Sequence, residues 1–254
     1  MSKKGSVAIL TPAYNGHIHI QNAHSTAQAL FYLKEAGWDV GWIHYGNVAS
    51  VTKARNALVS EAVTNGFTDM VFIDSDIAYA PESLEKLLEH DLDLVAGVQR
   101  NNMATELAGV VNPFPYAVEP LKRSDGTPYF EVNEGLAEVI SVPTAFMRIR
   151  TKPIKELMTK VPELQYHDDN IVGADEHLYA LFDHRLHPHP RYEGKQKYHG
   201  EDYAFCRLWR EHGYKVHADL SIPLRHIKTV NLDGAPIVAL KNMQAMARNT
   251  GKEE

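Results

Sequence analysis

Short apolar runs alternate with helical stretches over the first part of the chain. Val7-Ala8-Ile9-Leu10 is such a run, stopped by Thr11-Pro12, and reads as a buried parallel strand. From about Ser25 to Ala36 the apolar positions Ala29, Leu30 and Leu33 recur at helical spacing, and Gly37 follows as a C-cap. Trp38 to His44 reads as a second strand, and Ala54 to Val63 as a second helix ending near Asn65-Gly66. Met70-Val71-Phe72-Ile73 is the clearest strand, with acidic residues directly behind it. Pro81 to His90 then predicts a helix with proline in its first turn, and Leu94 to Val98 a further strand. This order predicts an α/β fold of Rossmann type, a mostly parallel central sheet flanked by helices on both faces. Ligands of such sheets bind beyond the carboxyl ends of the strands, where Thr11 to Asn15 and Asp74 to Asp76 fall.

The second half is less regular. Residues 101–134 are rich in Pro, Gly, Asn and charge, with turn signals at Asn112-Pro113, Asp125-Gly126 and Thr127-Pro128. Ala137 to Arg150 holds two strand-like pieces broken by Pro143, and Lys152 to Lys160 a short helix. Pro162 to His199 reads as a long polar loop, a candidate lid over a bound ligand. Glu201 to Gly213 is a helix, Lys215 to Pro223 an extended segment, and the tail from Leu240 a helix that frays after Arg248. No repeat or linker divides the chain. It is read as one domain, with a nucleotide-binding half to about residue 100, an acceptor and metal-completing half over 101–230, and a tail over 240–254.

Composition narrows the function classes. A chain of 254 residues with 44% hydrophobic content is long enough for one full core. A net charge of −6 argues against strong non-specific nucleic-acid binding, which draws its affinity from neutralised phosphates. No apolar run approaches the ~20 residues of a membrane-spanning helix, so no membrane insertion is expected. The start runs from Lys3-Lys4 into a strand and not into a secretory signal. The lone Cys206 excludes an intrachain disulfide, and a reducing cytoplasm is the expected location, that of the host if the protein is phage or viral. Nothing in the pattern fixes an oligomeric state.

The candidate chemistry centres on Phe72-Ile73-Asp74-Ser75-Asp76-Ile77. Two carboxylates at the end of a buried strand suit a hard divalent cation, and Mg²⁺ or Mn²⁺ suits the phosphates of a nucleotide. The plainer alternative is a pair of solvated turn aspartates ahead of the Pro81 helix. In His199-Gly200-Glu201-Asp202-Tyr203 one acidic residue is a candidate general base; the plainer alternative is dipole complementation in a first helical turn. His226, after the last extended segment, has the chemistry to complete a metal site, although a lone histidine is more often structural. Lys53-Ala54-Arg55-Asn56 opens a helix, a place suited to a diphosphate or simply an exposed basic turn.

Taken in order, Val7 to Tyr14, Ala54-Arg55-Asn56, Asp69 to Ile77, Gly200 to Phe205 and His226 resemble the GT-A nucleotide-sugar glycosyltransferases. The likeness is to the compact family 2-like members of bacteria, phages and large viruses, and it runs from about Ser6 to His226. The resemblance implies that Thr11, Pro12 and Tyr14 line the nucleoside pocket and that Arg55 and Asn56 lie near the nucleotide. Asp74 and Asp76 would hold Mn²⁺ or Mg²⁺ on the diphosphate, with Ser75 near the ribose and His226 as third protein ligand. Asp202, with Glu201 as the other candidate, would face the acceptor hydroxyl. Pro143 and Ala145 depart from the family's glycine-rich pocket strand. Lys228 stands where a glycine often follows the ligand histidine, and could reach a phosphate.

The implied partners are a nucleotide-sugar donor, a UDP-sugar first, and an acceptor that is a glycan, a small molecule or a hydroxylated base of viral DNA. For the last of these, Arg185, Arg191, Lys195 and Lys197 with Tyr192 and Tyr198 are the candidate contacts. A nucleotidyltransferase is the alternative enzyme, but Thr11 to Gly16 lacks the basic glycine-rich loop usual there. A non-catalytic nucleotide-sugar-binding module is the alternative outside enzymes.

Overall fold

The computed structural model describes residues 4–13, 15–100, 115–169, 171, 175–189 and 192–228. Tyr14, Arg191, the Asn112-Pro113 turn and the tail from Leu240 lie outside the described residues.

The first part of the chain alternates as its pattern predicts: β1 (Gly5–Ala13), α1 (Ile20–Glu35), β2 (Trp38–Gly46), α2 (Val51–Thr64), β3 (Asp69–Ile73), the short β4 (Ile77–Ala78), α3 (Pro81–Glu89) and β5 (Leu94–Gly97). The second part supplies β6 (Glu119–Lys122), β7 (Pro128–Tyr129), β8 (Val132–Asn133), β9 (Leu136–Ser141), β10 (Phe146–Arg150) and α4 (Thr151–Lys160). It continues with β11 (Arg185–Pro188), β12 (Gln196–His199), α5 (Glu201–Glu211), β13 (Val216–Asp219) and β14 (Arg225–His226). Gly37 closes α1 with φ +93°, a left-handed conformation that a side chain resists.

The main sheet runs in the order β2-β1-β3-β10-β5-β13-β9-β6-β7, with β8 paired to β9. β1 is parallel to β2 and β3, and β13 is parallel to β5, while β10 runs antiparallel between β3 and β5. The strands β1, β2, β3, β5 and β13 therefore point one way, and their carboxyl ends share one edge. β9 enters antiparallel beside β13.

Alternation along the buried strands feeds two cores. Ala8, Leu10, Met70, Phe72, Met147 and Ile149 face a cluster built with α2, α4 and α5. Val7, Ile9, Val71, Ile73 and Phe146 face the opposite cluster, built with α1 and α3. One charged pair lies within this packing: Arg148 on β10, 2% exposed, binds Asp69 at 2.6 Å and also donates to the carbonyls of His90 and Leu92. Among the described residues no helix is long and apolar enough to cross a membrane.

Residues 162–199 depart from the expected polar loop. Leu178, Leu181 and Phe182 are fully buried, and Phe182 stacks on Phe205 of α5 with ring centroids 4.1 Å apart. Backbone bonds from Tyr166 to Leu178 and from Ala180 to Leu164 fold the segment on itself, and β11 pairs antiparallel with β12. The polar majority of the stretch masks these apolar anchors, which have neither strand nor helix spacing. α1 also starts at Ile20, a turn earlier than its apolar spacing indicates, because that first turn is held by polar contacts.

Candidate active site

The carboxyl end of β3 opens into the turn Asp74-Ser75-Asp76, closed by the Ile77 amide donating to the Asp74 carbonyl at 3.0 Å. Three residues hold this turn from behind. The Asp74 amide donates to Ala145, just ahead of β10, and the His19 amide, at the start of α1, donates to the Ser75 carbonyl, each at 3.0 Å. Asn22 of α1, wholly buried, donates to the carbonyls of Asp74 at 3.0 Å and Ile77 at 2.8 Å. On the far side β4 pairs with β14, His226 opposite Ile77, and the Ile227 amide donates to the Asp76 carbonyl at 2.8 Å. The backbone is thereby fixed while the two carboxylates stay part-exposed, at 28% for Asp74 and 26% for Asp76.

Each carboxylate has its own cationic partner. Asp76 Oδ2 lies 3.2 Å from His226 Nε2 and 2.8 Å from Lys228 Nζ. Burial works to raise the Asp76 pKa, but the bonds from His226 and Lys228 outweigh it and bring the group to about 2. His226 Nδ1 lies 2.9 Å from the Arg100 carbonyl, which can only accept, so Nδ1 carries a proton, and the bond to the Asp76 carboxylate puts a second on Nε2. The bond to Asp76 raises the imidazole pKa.

Asp74 turns the other way, accepting through Oδ1 from Arg55 at 2.9 Å. Arg55, 4% exposed, also donates to Glu201 Oε1 at 3.3 Å and lies 5.4 Å above the Phe72 ring. Burial disfavours its charge, yet the Asp74 and Glu201 carboxylates more than compensate and hold its pKa above the ordinary value. Its Nη1 is buried with no hydrogen-bond partner. One guanidinium thus ties the acidic strand end to the first turn of α5.

Asp202, beside Glu201, is in a different state. Burial, then the neighbouring Glu201 charge, push its pKa up to about 6, against the Tyr203 amide that donates to its Oδ1 at 2.7 Å. Glu201 is paired with Arg55, and Asp202 beside it carries the raised pKa.

The remaining expected residues are dispersed around this centre. Thr11, at the end of β1, is fully buried and accepts from Trp42 Nε1 at 3.0 Å; Pro12 beside it is buried as well. Asn56 has its side chain occupied in the interior, accepting from the Phe182 amide at 2.9 Å and donating to the Phe182 carbonyl at 3.3 Å. Asn22 and Phe182 are contributors that sequence reading missed. For Asn22 the signal was available: Asn22, Ser25 and Thr26 are polar, share one helical face, and are all buried.

Among the described residues no three His, Cys, Asp or Glu side chains form a finished metal set. Asp76 and His226 converge, and Asp74 faces Arg55. The donor chemistry fits a hard divalent ion all the same. Carboxylate oxygens suit Mg²⁺ and Mn²⁺, and a neutral imidazole with Nδ1–H on a carbonyl presents Nε2 as its lone pair.

No protein-family model matches the chain, nor does any curated protein sequence. Several solved structures are similar in fold. The catalytic domain of Drosophila beta1,4-galactosyltransferase 7, complexed with xylobiose, is 11% identical, covers 89% of this chain and 71% of its own, and has a TM-score of 0.43. The S. aureus TarS fragment 1–349 is 16% identical over 69% of this chain and 54% of its own, at 0.34. The inositol-1-phosphate CTP transferase of T. maritima is 9% identical over 95% and 97%, at 0.43. Likenesses this distant carry no weight on activity, and the functional reading rests on the side chains described above.

Proposed function

We propose that this chain is a glycosyltransferase that moves a sugar from a nucleoside-diphosphate donor, a UDP-sugar first, to an acceptor hydroxyl, with Mn²⁺ or Mg²⁺ at Asp74, Asp76 and His226. The observation that carries the reading is the Arg55 bridge. It ties the acidic turn at the end of the central sheet to Glu201 in the first turn of α5, next to Asp202, whose pKa is raised to about 6.

The divalent ion, when bound, supplies charge neutralisation to the departing diphosphate. Asp76, His226 and Asp74 would hold it, and Arg55 already holds one oxygen of Asp74. Lys228, paired with Asp76, would supply a positive charge to a phosphate oxygen in this reading. Arg55 keeps a buried N–H without a partner and adds positive charge where negative charge develops. Asp202, deprotonated above its raised pKa, takes the proton of the incoming hydroxyl, and direct displacement with a base on the acceptor side inverts the anomeric centre. Thr11 and Pro12, at the end of β1, and Ser75 border the nucleoside side in this reading. Asn56 supports it from within by fixing Phe182 under α5.

The test is a thermal-shift panel of UDP-, GDP-, CDP- and dTDP-sugars, each with and without Mn²⁺. A ligand that binds only the folded chain raises its melting temperature by mass action. One donor class should stabilise the protein, and more strongly with the ion. A flat response across the panel removes the reading.

A further inference from the structure

The β11–β12 hairpin leaves the candidate active site by one strand and returns to it by the other. β11 begins three residues after Phe182, which packs against Phe72 and Phe205 beneath Arg55. β12 ends at His199, and Gly200 leads directly into Glu201 and Asp202. The hairpin's two faces differ. On the inner one His199 is 5% exposed and His187 approaches Glu211 of α5 at 3.7 Å. On the outer one Leu186 pairs directly with Tyr198, and both stand in solvent, 63% and 65% exposed. His184 stacks on Tyr198 with ring planes 6° apart and centroids 5.2 Å apart.

Two parallel rings and a leucine form a stepped apolar shelf at the root of the hairpin, and the proposed mechanism gives it no role. Tyr198 precedes Asp202 by four residues, so the chain holds the two within about 14 Å of each other.

We propose that His184, Leu186 and Tyr198 form a carbohydrate-stacking subsite that holds one sugar ring of an acceptor glycan while another presents its hydroxyl to Asp202. This rests on the glycosyltransferase reading and names its acceptor class. The ring faces suit the apolar C–H face of a pyranose, and the shelf is continuous with the chain that carries the base. The shelf itself is carried by two rings and an alkyl side chain, and the nearest charged side chains turn away from it or pair locally. Arg185 donates its guanidinium to the Ala180 carbonyl, Asp183 lies 4.0 Å from His184, and burial keeps the His199 pKa down at about 4. The exposed cations Lys195 and Lys197 lie towards the hairpin tip.

Saturation-transfer NMR on the full chain tests this, with xylobiose and cellobiose as sugar probes and a single-stranded oligothymidylate as the nucleobase probe. Disaccharide signals should appear, weaken by about tenfold in apparent affinity in Tyr198→Ala and in His184→Ala, and persist in Tyr198→Phe. The Mn²⁺-dependent donor shift should be unchanged in all three variants, which also reports that they are folded. Disaccharide binding that is absent, or that survives Tyr198→Ala, overturns the subsite while leaving the donor reading intact. Oligothymidylate binding that needs Tyr198, with no sugar signal, overturns it in favour of a nucleobase acceptor. Loss of the donor shift in the wild-type chain is instead a failure of the glycosyltransferase reading, and overturns the acceptor assignment with it.

Discussion

Asn22 holds the carbonyl of Asp74 at 3.0 Å through the same amide nitrogen that holds Ile77 at 2.8 Å, so one buried side chain spans the whole acidic turn. Its neighbours on that face act alike: the Tyr79 amide donates to Ser25 Oγ at 3.1 Å, and Tyr79 Oη pairs with Thr26 at 3.2 Å. Polar residues at i, i+3 and i+4 of α1 therefore serve as a rail for residues 74–79.

Asn22→Ala removes one donor from each of two carbonyls, leaving Asp74 with the Ile77 amide alone. The loss should cost about 1–3 kcal/mol of stability, read by urea denaturation. If the rail orients metal ligands, Mn²⁺ should also bind the donor complex about 10–100-fold more weakly. Stability that falls with Mn²⁺ affinity intact would reduce Asn22 to a clamp of the fold.

What the sequence revealed, and what it hid, follows from periodicity. β3 was legible because every residue of Asp69–Ile73 is buried and the apolar run ends abruptly in two aspartates. Asp76 and His226 were both named from sequence, though only the pairing of β4 with β14 brings them together across 150 positions. The Asn22 rail left one sign in the sequence, polar residues at i, i+3 and i+4, and it is easily passed over because the first turn of α1 has no side-chain cap and no apolar stripe. Phe182 was hidden because a few apolar anchors, spaced irregularly in a polar stretch, make no periodic signal. The Arg55 to Glu201 bridge joins residues 146 positions apart, and only the folded sheet makes them neighbours.

Asp202 sets a pH dependence. Its folded pKa of about 6 lies above the ordinary 3.8, so between those values the folded chain keeps a proton that the unfolded chain has lost. That contribution is fully present below the unfolded pKa and is lost as pH rises through 6, so stability falls across the window, by an amount on the order of 2 kcal/mol. Transfer should do the opposite, rising as the base form fills and levelling above pH 6. Asp202→Asn should flatten the stability profile and abolish transfer while keeping the donor-induced thermal shift. Undiminished turnover in that variant would remove Asp202 as the base.

Asn56 gives a contrasting prediction, of a residue that acts on the fold first. Its side chain satisfies both the amide and the carbonyl of Phe182 in the buried interior. Asn56→Leu keeps the branched shape but orphans both groups, each at a cost of about 1–3 kcal/mol. Urea denaturation should show a large loss, with donor affinity in the surviving folded fraction little changed. Selective loss of donor binding at unchanged stability would place Asn56 at the nucleotide instead.

The metal assignment is tested most directly at Asp76, whose Oδ2 is shared by His226 and Lys228. Asp76→Asn keeps the shape but removes the charge that a divalent ion and both cations seek. The Mn²⁺-dependent part of the donor thermal shift should vanish, while any ion-independent part contributed by Arg55 remains. Lys228→Met should separate the two uses of that oxygen. Freed of its ammonium, Asp76 should take Mn²⁺ more tightly in the absence of donor, and the donor complex should lose one phosphate contact and weaken. Isothermal titration of the ion with and without nucleotide reads both quantities. If Lys228→Met leaves both unchanged, the lysine is a surface partner of Asp76 with no part in donor binding. If Asp76→Asn retains the full Mn²⁺ response, the ion sits elsewhere, and the end of β3 is a hydrogen-bonded turn that only resembles a metal site.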